Sequence, residues 1–298
     1  MSAATRPESG AGVAWAQLLR VPNLFTAMAD VAAGMALATG AFPGWTTVAA
    51  LLAASTALYG GGIVLNDVFD VEVDRRERPR RPLPSARVMV AAARRVGLVL
   101  LIAGVALATV AGGHAALIAV AIAGLAYAYD AGLKRHALAG AFALAGCRYL
   151  NLLMGVAIVP LTAGSWLLPL PLALYILAIM PMSRVEVTGS GPTSPLLAGA
   201  LVLTALAAAV GLAVSGRLYH PWGVVAMAMV VGLVGEGIVA AVRSPTPDRL
   251  QAAIHRMLLG LIPLDAALAA CGPHPWAGAA IVALLLPARW LGRRIPMT

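Results

Sequence analysis

The 298 residues hold 61% hydrophobic side chains and only 11% charged ones, at a mean hydropathy of +0.88, which excludes a soluble domain. The net charge of +9 does not point to nucleic acid, because almost all of the excess is arginine gathered in short loops between apolar runs.

Residues 1–13, rich in Ala, Gly and Ser, are expected to form a disordered tail, and 14–298 a single transmembrane domain. The first apolar run lacks a cleavage-like ending and reads as a span, not as a signal peptide. Spans are expected at 21–40, 46–66, 88–111, 114–129, 137–161, 168–182, 194–214, 221–242, 251–270 and 276–290. Most are near the ~20 residues that cross a bilayer, but the last is short, so nine or ten are expected. No barrel-type alternation is present, and in lipid each span must satisfy its own backbone. The fold class is therefore all-α, a polytopic transmembrane helical bundle.

The breaks at 40–44, 111–113 and 271–275 carry no Lys or Arg, whereas 75–95 carries eight arginines, 134–135 a Lys-Arg pair, and 243–256 three arginines. The positive-inside rule then places the N-terminus and the arginine-rich loops in the cytoplasm, as in a cell inner membrane. Cys147 and Cys271 fall in opposite halves of the membrane, so no disulfide between them is expected.

On this topology Asn23, Asp67, Asp70, Tyr127, Tyr129, Asp130, Arg148, Asn151, Ser183, Arg184, Glu186, Glu236, His255 and Arg256 all lie toward the cytoplasm. A charge near the bilayer centre costs at least ~2.5 kcal/mol and normally faces a cavity or a partner. As a set these residues read as a polar chamber; taken alone, Arg148 reads rather as a helix-pairing residue. Asp30, Glu236 and Asp265, also within spans, suggest ion-coupled transport, but they lack partners nearby in sequence.

The densest signal is Asn66-Asp67-Val68-Phe69-Asp70-Val71-Glu72-Val73-Asp74. Asn66, Asp70 and Asp74 stand at i, i+4 and i+8 and share one face if the helix continues. Such hard oxygens suit Mg²⁺, which is completed by water and phosphate; the alternative is a solvated charged helix end that orients the protein. Asp130 precedes Lys134 and Arg135 by four and five residues, which adds basic groups for phosphate oxygens. Under an apolar chamber, this combination suits an isoprenoid diphosphate. A weak internal repeat, Arg20-Val21-Pro22-Asn23 against Arg148-Tyr149-Leu150-Asn151, suggests two facing halves.

Asn66-Asp67-x-x-Asp70-x-x-x-Asp74, followed by Arg81-Pro82-Leu83-Pro84, resembles the first aspartate-rich motif of the UbiA superfamily of intramembrane prenyltransferases, and Tyr127 to Arg135 resembles that family's loop between its fourth and fifth helices. The resemblance implies a helical bundle with a central cavity, Mg²⁺-dependent loss of diphosphate from a prenyl donor and alkylation of an acceptor by the allylic cation. It implies that Asn66, Asp70 and Asp74 hold metal and diphosphate, that Lys134 and Arg81 grip diphosphate, and that Asn23 lines the cavity. Asp67, Tyr127, Asp130, Arg135, Arg148 and Asn151 join the substrate-binding set. The family's second motif is a pair of aspartates, but here the chain reads Ser183-Arg184-Val185-Glu186, a pattern similar to the UbiA-like protein of bacterial ebo clusters. Glu186 would remain a metal ligand, and Arg184 would serve as counter-charge or, alternatively, leave a protein that binds isoprenoid phosphates without turnover. The implied partners are a prenyl diphosphate, an unidentified acceptor and the lipid bilayer. Acceptor, chain length and oligomeric state are not legible.

Overall fold

The computed structural model describes residues 10–38, 40–183, 192–220 and 222–295, and among them the regular structure is helical. The chain runs α1 (Ala11–Leu18), α2 (Val21–Ala38), α3 (Trp45–Phe69), α4 (Val71–Glu77), α5 (Val90–Ala108), α6 (Gly113–Ala131) and α7 (Ala137–Val156). It continues through α8 (Leu170–Ser183), α9 (Thr193–Val214), α10 (Trp222–Arg243), α11 (Pro247–Leu259), α12 (Leu261–Ala269), α13 (Trp276–Val282) and α14 (Leu285–Arg294).

The N-terminal expectation needs correction. A helix starts at Ala11, inside the stretch read as a tail, while residues 1–9 lie outside the described ones. The cause is packing: Ala14 and Leu18, one helical turn apart and fully buried, join Val64, Val68, Val71, Leu83, Val88 and Ala93 in a small apolar cluster.

Nine segments among the described residues are long and apolar enough to cross a membrane. The ninth is α11 and α12 in series, broken at Gly260. Pro263 explains the break, since it has no N–H for the Leu259 carbonyl and its ring crowds that oxygen. Pro287 acts in the same way on Ala283 and separates α13 from α14. The expected tenth span is therefore two short helices, and neither crosses alone. Together they follow α2 from end to end. At one end His274 Nε2 lies 2.6 Å from the Gly40 carbonyl oxygen; at the other a Cβ on Gly292 would stand 3.9 Å from Pro22.

Helix α2 is central, packing against α3, α7, α12, α13 and α14, while α3 pairs with α5, α6 with α7 and α8 with α9. The main core collects Leu51, Leu58, Leu65, Leu152, Leu153, Met154, Leu172 and Tyr175, which the nearly uniform apolarity of these helices makes possible.

Candidate active site

The acidic stretch lies where α3 ends. Asp70 leaves the helix (φ −92°, ψ 2°), and α4 begins one residue later. The i, i+4, i+8 stripe is therefore interrupted at its middle member, and its three residues part company.

Asn66 Nδ2 donates to Asp130 Oδ1 at 2.7 Å, and Lys134 Nζ stands 2.6 Å from Asp70 Oδ1 and 3.9 Å from Asp130 Oδ1. Asp74 turns the other way. Its Oδ2 accepts from Arg81 at 2.8 Å, Arg81 is also 3.7 Å from Asp67, and Asp67 accepts from Arg20 at 3.0 Å. Two acids and two arginines thus neutralise one another in a nearly dry setting, with Asp67 and Asp74 each 5% exposed. Leu83, buried in the apolar cluster with α1, carries the loop back over α4 and delivers Arg81 to these acids. Removing one member of a buried ion pair strands its partner. Arg81→Met is expected to cost about 3 kcal/mol, seen as a lower unfolding temperature in detergent.

Behind Asn66 and Asp130 opens a chamber of about 340 Å³, apolar through Leu58, Ile63, Ile122 and Ile176 and polar at Arg20, Thr26, Tyr59, Tyr129, Arg148 and Asn151. Asp130, Arg148 and Asn151 are thus on the wall, as the sequence leads one to expect. Other candidates are not. Asn23 sits in the first turn of α2, and it is Thr26, whose hydroxyl donates to the Asn23 carbonyl, that faces the chamber. Tyr127 leans on Phe69 (ring centroids 5.7 Å apart) in a separate groove, because it is two residues from Tyr129 on the same helix and so points away. Arg135 is exposed. Glu236 and Arg256 pair at the surface, 3.5 Å apart, instead of entering the chamber. Arg184 and Glu186 lie outside the described residues.

Sequence reasoning did not assign Arg20, Thr26 or Tyr59 to the chamber. Arg20 carries one late signal, a positive φ of 46° at the α1–α2 junction, which is costly for a residue with a Cβ and holds its side chain toward Asp67.

The donors at the mouth fit Mg²⁺ in kind. The Asn66 amide nitrogen is spent on Asp130, which leaves its carbonyl oxygen for a metal, and the Asp70 side chain is one-third exposed. Among the described residues no three His, Cys, Asp or Glu side chains form a ready cage. Mg²⁺ needs none when phosphate and water complete its shell.

A multi-pass bundle that holds an apolar chamber beneath a carboxylate–lysine mouth is suited to lipid chemistry on a diphosphate, and belongs with the intramembrane transferases. The family model "UbiA prenyltransferase family" matches residues 27–262, and the chain belongs to that family. A digeranylgeranylglyceryl phosphate synthase of Ignicoccus hospitalis is 32% identical over 287 residues, covering 85% of this chain and 91% of that protein. A solved structure described as giving insights into digeranylgeranylglyceryl phosphate synthase in membranes superposes with a TM-score of 0.68 at 21% identity, covering 87% of this chain and 97% of the other. A UbiA homologue from Archaeoglobus fulgidus, solved with GPP and Mg²⁺, gives 0.53 at 13% identity, covering 92% and 99%. At these identities the solved structures speak to the fold. The chain is thus a multi-pass membrane prenyltransferase of the UbiA type.

Proposed function

We propose that the chain joins a geranylgeranyl group from its diphosphate to a hydroxyl of a glyceryl phosphate that already carries one such chain, dependent on Mg²⁺. The likeness to the Ignicoccus protein over 91% of that protein's length carries this reading. An acceptor that is itself a lipid suits a chamber walled mainly by aliphatic side chains.

Asn66, Asp70 and Asp130 would hold the metal, with Glu186 as a further candidate. When bound, Mg²⁺ would neutralise charge on the departing diphosphate. Lys134, now against Asp70, would exchange a carboxylate oxygen for a diphosphate oxygen without leaving the mouth. Tyr59, Tyr129 and the aliphatic wall would keep water from the allylic cation until the acceptor hydroxyl attacks. The new C–O bond replaces the donor's C–O bond, and the hydroxyl proton leaves with diphosphate. The mouth lies beside the arginine-rich 75–81 stretch, so the reading sets it, with the N-terminus, on the cytoplasmic side of the inner membrane.

The test uses detergent-purified protein with geranylgeranyl diphosphate and geranylgeranylglyceryl phosphate, followed by mass spectrometry. The expected product is the doubly prenylated glyceryl phosphate, lost on chelation by EDTA and restored by Mg²⁺. Transfer only to an aromatic acceptor would sink the choice of acceptor; transfer unaffected by EDTA would sink the metal.

A further inference from the structure

Three helices bring ionisable side chains together deep in the bundle. Asp30 comes from α2, Arg148 from α7 and Asp265 from α12, with exposures of 0%, 7% and 0%. Arg148 Nη2 stands 2.8 Å from Asp30 Oδ1 and donates to the Thr26 carbonyl at 3.3 Å, while Nη1 donates to Thr26 Oγ1 at 3.1 Å. Asn151 donates to the Ala27 carbonyl at 2.8 Å and to Asp30 Oδ2 at 3.0 Å. Asp30 Oδ2 therefore has an amide N–H donor, and Oδ1 has the Arg148 charge beside it, though no donor among the described residues makes a hydrogen bond to it.

Asp265 has neither. Both of its carboxyl oxygens are buried, and no donor among the described residues reaches them. What its carboxyl meets within hydrogen-bonding reach is the carboxyl of Asp30. Tyr175 of α8 is also near, but its hydroxyl is committed to the Met257 carbonyl at 2.8 Å. The other ionisable groups on helices packed against α12 are exposed: Glu236 and Arg243 of α10, and Asp248, Arg249, His255 and Arg256 of α11. Helix α13 carries none.

Two acids facing one arginine leave a surplus negative charge where water is excluded, and two acceptors confront each other with no donor between them. One proton removes both defects, as in any close carboxyl pair. We propose that Asp30 and Asp265 share a single proton, making Arg148, Asp30 and Asp265 a neutral strut across α2, α7 and α12. Asp265 is then a positioning residue that acts through Asp30 on Arg148. The strut keeps the guanidinium against Thr26 and the Tyr59 ring, 5.8 Å from its centroid, with its charge already balanced beside the chamber. A free cation there would oppose an allylic cation; that last consequence rests on the transfer proposed above, whereas the shared proton does not.

The measurement is infrared spectroscopy of the purified full chain at neutral pH in H₂O and D₂O. Wild type is expected to show a protonated-carboxyl carbonyl band that shifts on deuteration and is missing in Asp265→Asn. That variant should stay folded, because the amide N–H replaces the shared proton toward Asp30. Asp265→Ala, which leaves Asp30 balanced by Arg148 alone, should lack the band as well. A wild-type spectrum indistinguishable from that of Asp265→Asn would overturn the proposal, as would an Asp265→Asn variant that unfolds. A wild-type melting temperature that rises with sodium or potassium, with no such band, would put a metal cation between the acids instead of a proton.

Discussion

Asp70→Asn should lower Mg²⁺-dependent release of diphosphate by at least about 100-fold, the scale of losing one group that stabilises a developing charge, and should leave the melting temperature nearly unchanged. The second half follows from where Asp70 sits. It lies between α3 and α4, its side chain is one-third exposed, and its ion pair is with Lys134 at the mouth. Asp74→Asn should behave the opposite way. Its carboxylate is 5% exposed and held by Arg81 at 2.8 Å, so its loss should lower stability more than turnover per folded molecule. The pair is read by pyrophosphate release normalised to folded protein, beside thermal unfolding of the same samples. An Asp74→Asn variant that melts like wild type but releases no diphosphate would return Asp74 to the metal set and show that Arg81 gives way when substrate binds.

That contrast marks the limit of the sequence. That Asn66, Asp70, Asp130 and Lys134 gather in one place is legible because their spacings are short and their chemistry is unusual in an apolar chain. Asp74 faces Arg81 instead, because i+8 shares a face with i only in an unbroken helix, and the break falls on Asp70 itself. The spans were legible from hydropathy, while the division of the last two required taking Pro263 and Pro287 as interruptions of an otherwise apolar run. Asp30 and Asp265 are separated by nearly the whole chain; no local pattern joins them, and with Glu236 they suggest ion-coupled transport while lacking partners nearby in sequence. Arg148 is both a chamber residue and a helix-pairing residue, lining the chamber while binding Asp30. Its counterpart in the weak repeat, Arg20, does likewise with Asp67.

The other large effect concerns the contact that brings Asn151 to Asp30. Helices α2 and α7 meet at two glycines: a Cβ on Gly34 would fall 2.0 Å from the Leu152 carbonyl oxygen, and one on Gly155 would fall 2.1 Å from the Val31 carbonyl oxygen and 2.9 Å from the Met35 nitrogen. These obstacles are backbone atoms inside helices, so no side chain can swing aside and the helices themselves must separate. Separation would break the Asn151 bonds to Ala27 and Asp30 and pull Arg148 from its counter-ion. In a membrane, where close van der Waals contact and such bonds hold helices together, little remains to compensate. Gly155→Ala and Gly34→Ala are therefore each expected to cost at least the ~3 kcal/mol of a severe overpacking and to leave little monodisperse protein on size exclusion in detergent. Gly124→Ala on α6 is the control: nothing lies within 4 Å of its Cβ position, and the change should be neutral or stabilising by up to about 1 kcal/mol. Should Gly155→Ala purify and melt like Gly124→Ala, the α2–α7 contact is looser than these distances require, and the fixed placement of Arg148 in the chamber wall falls with it.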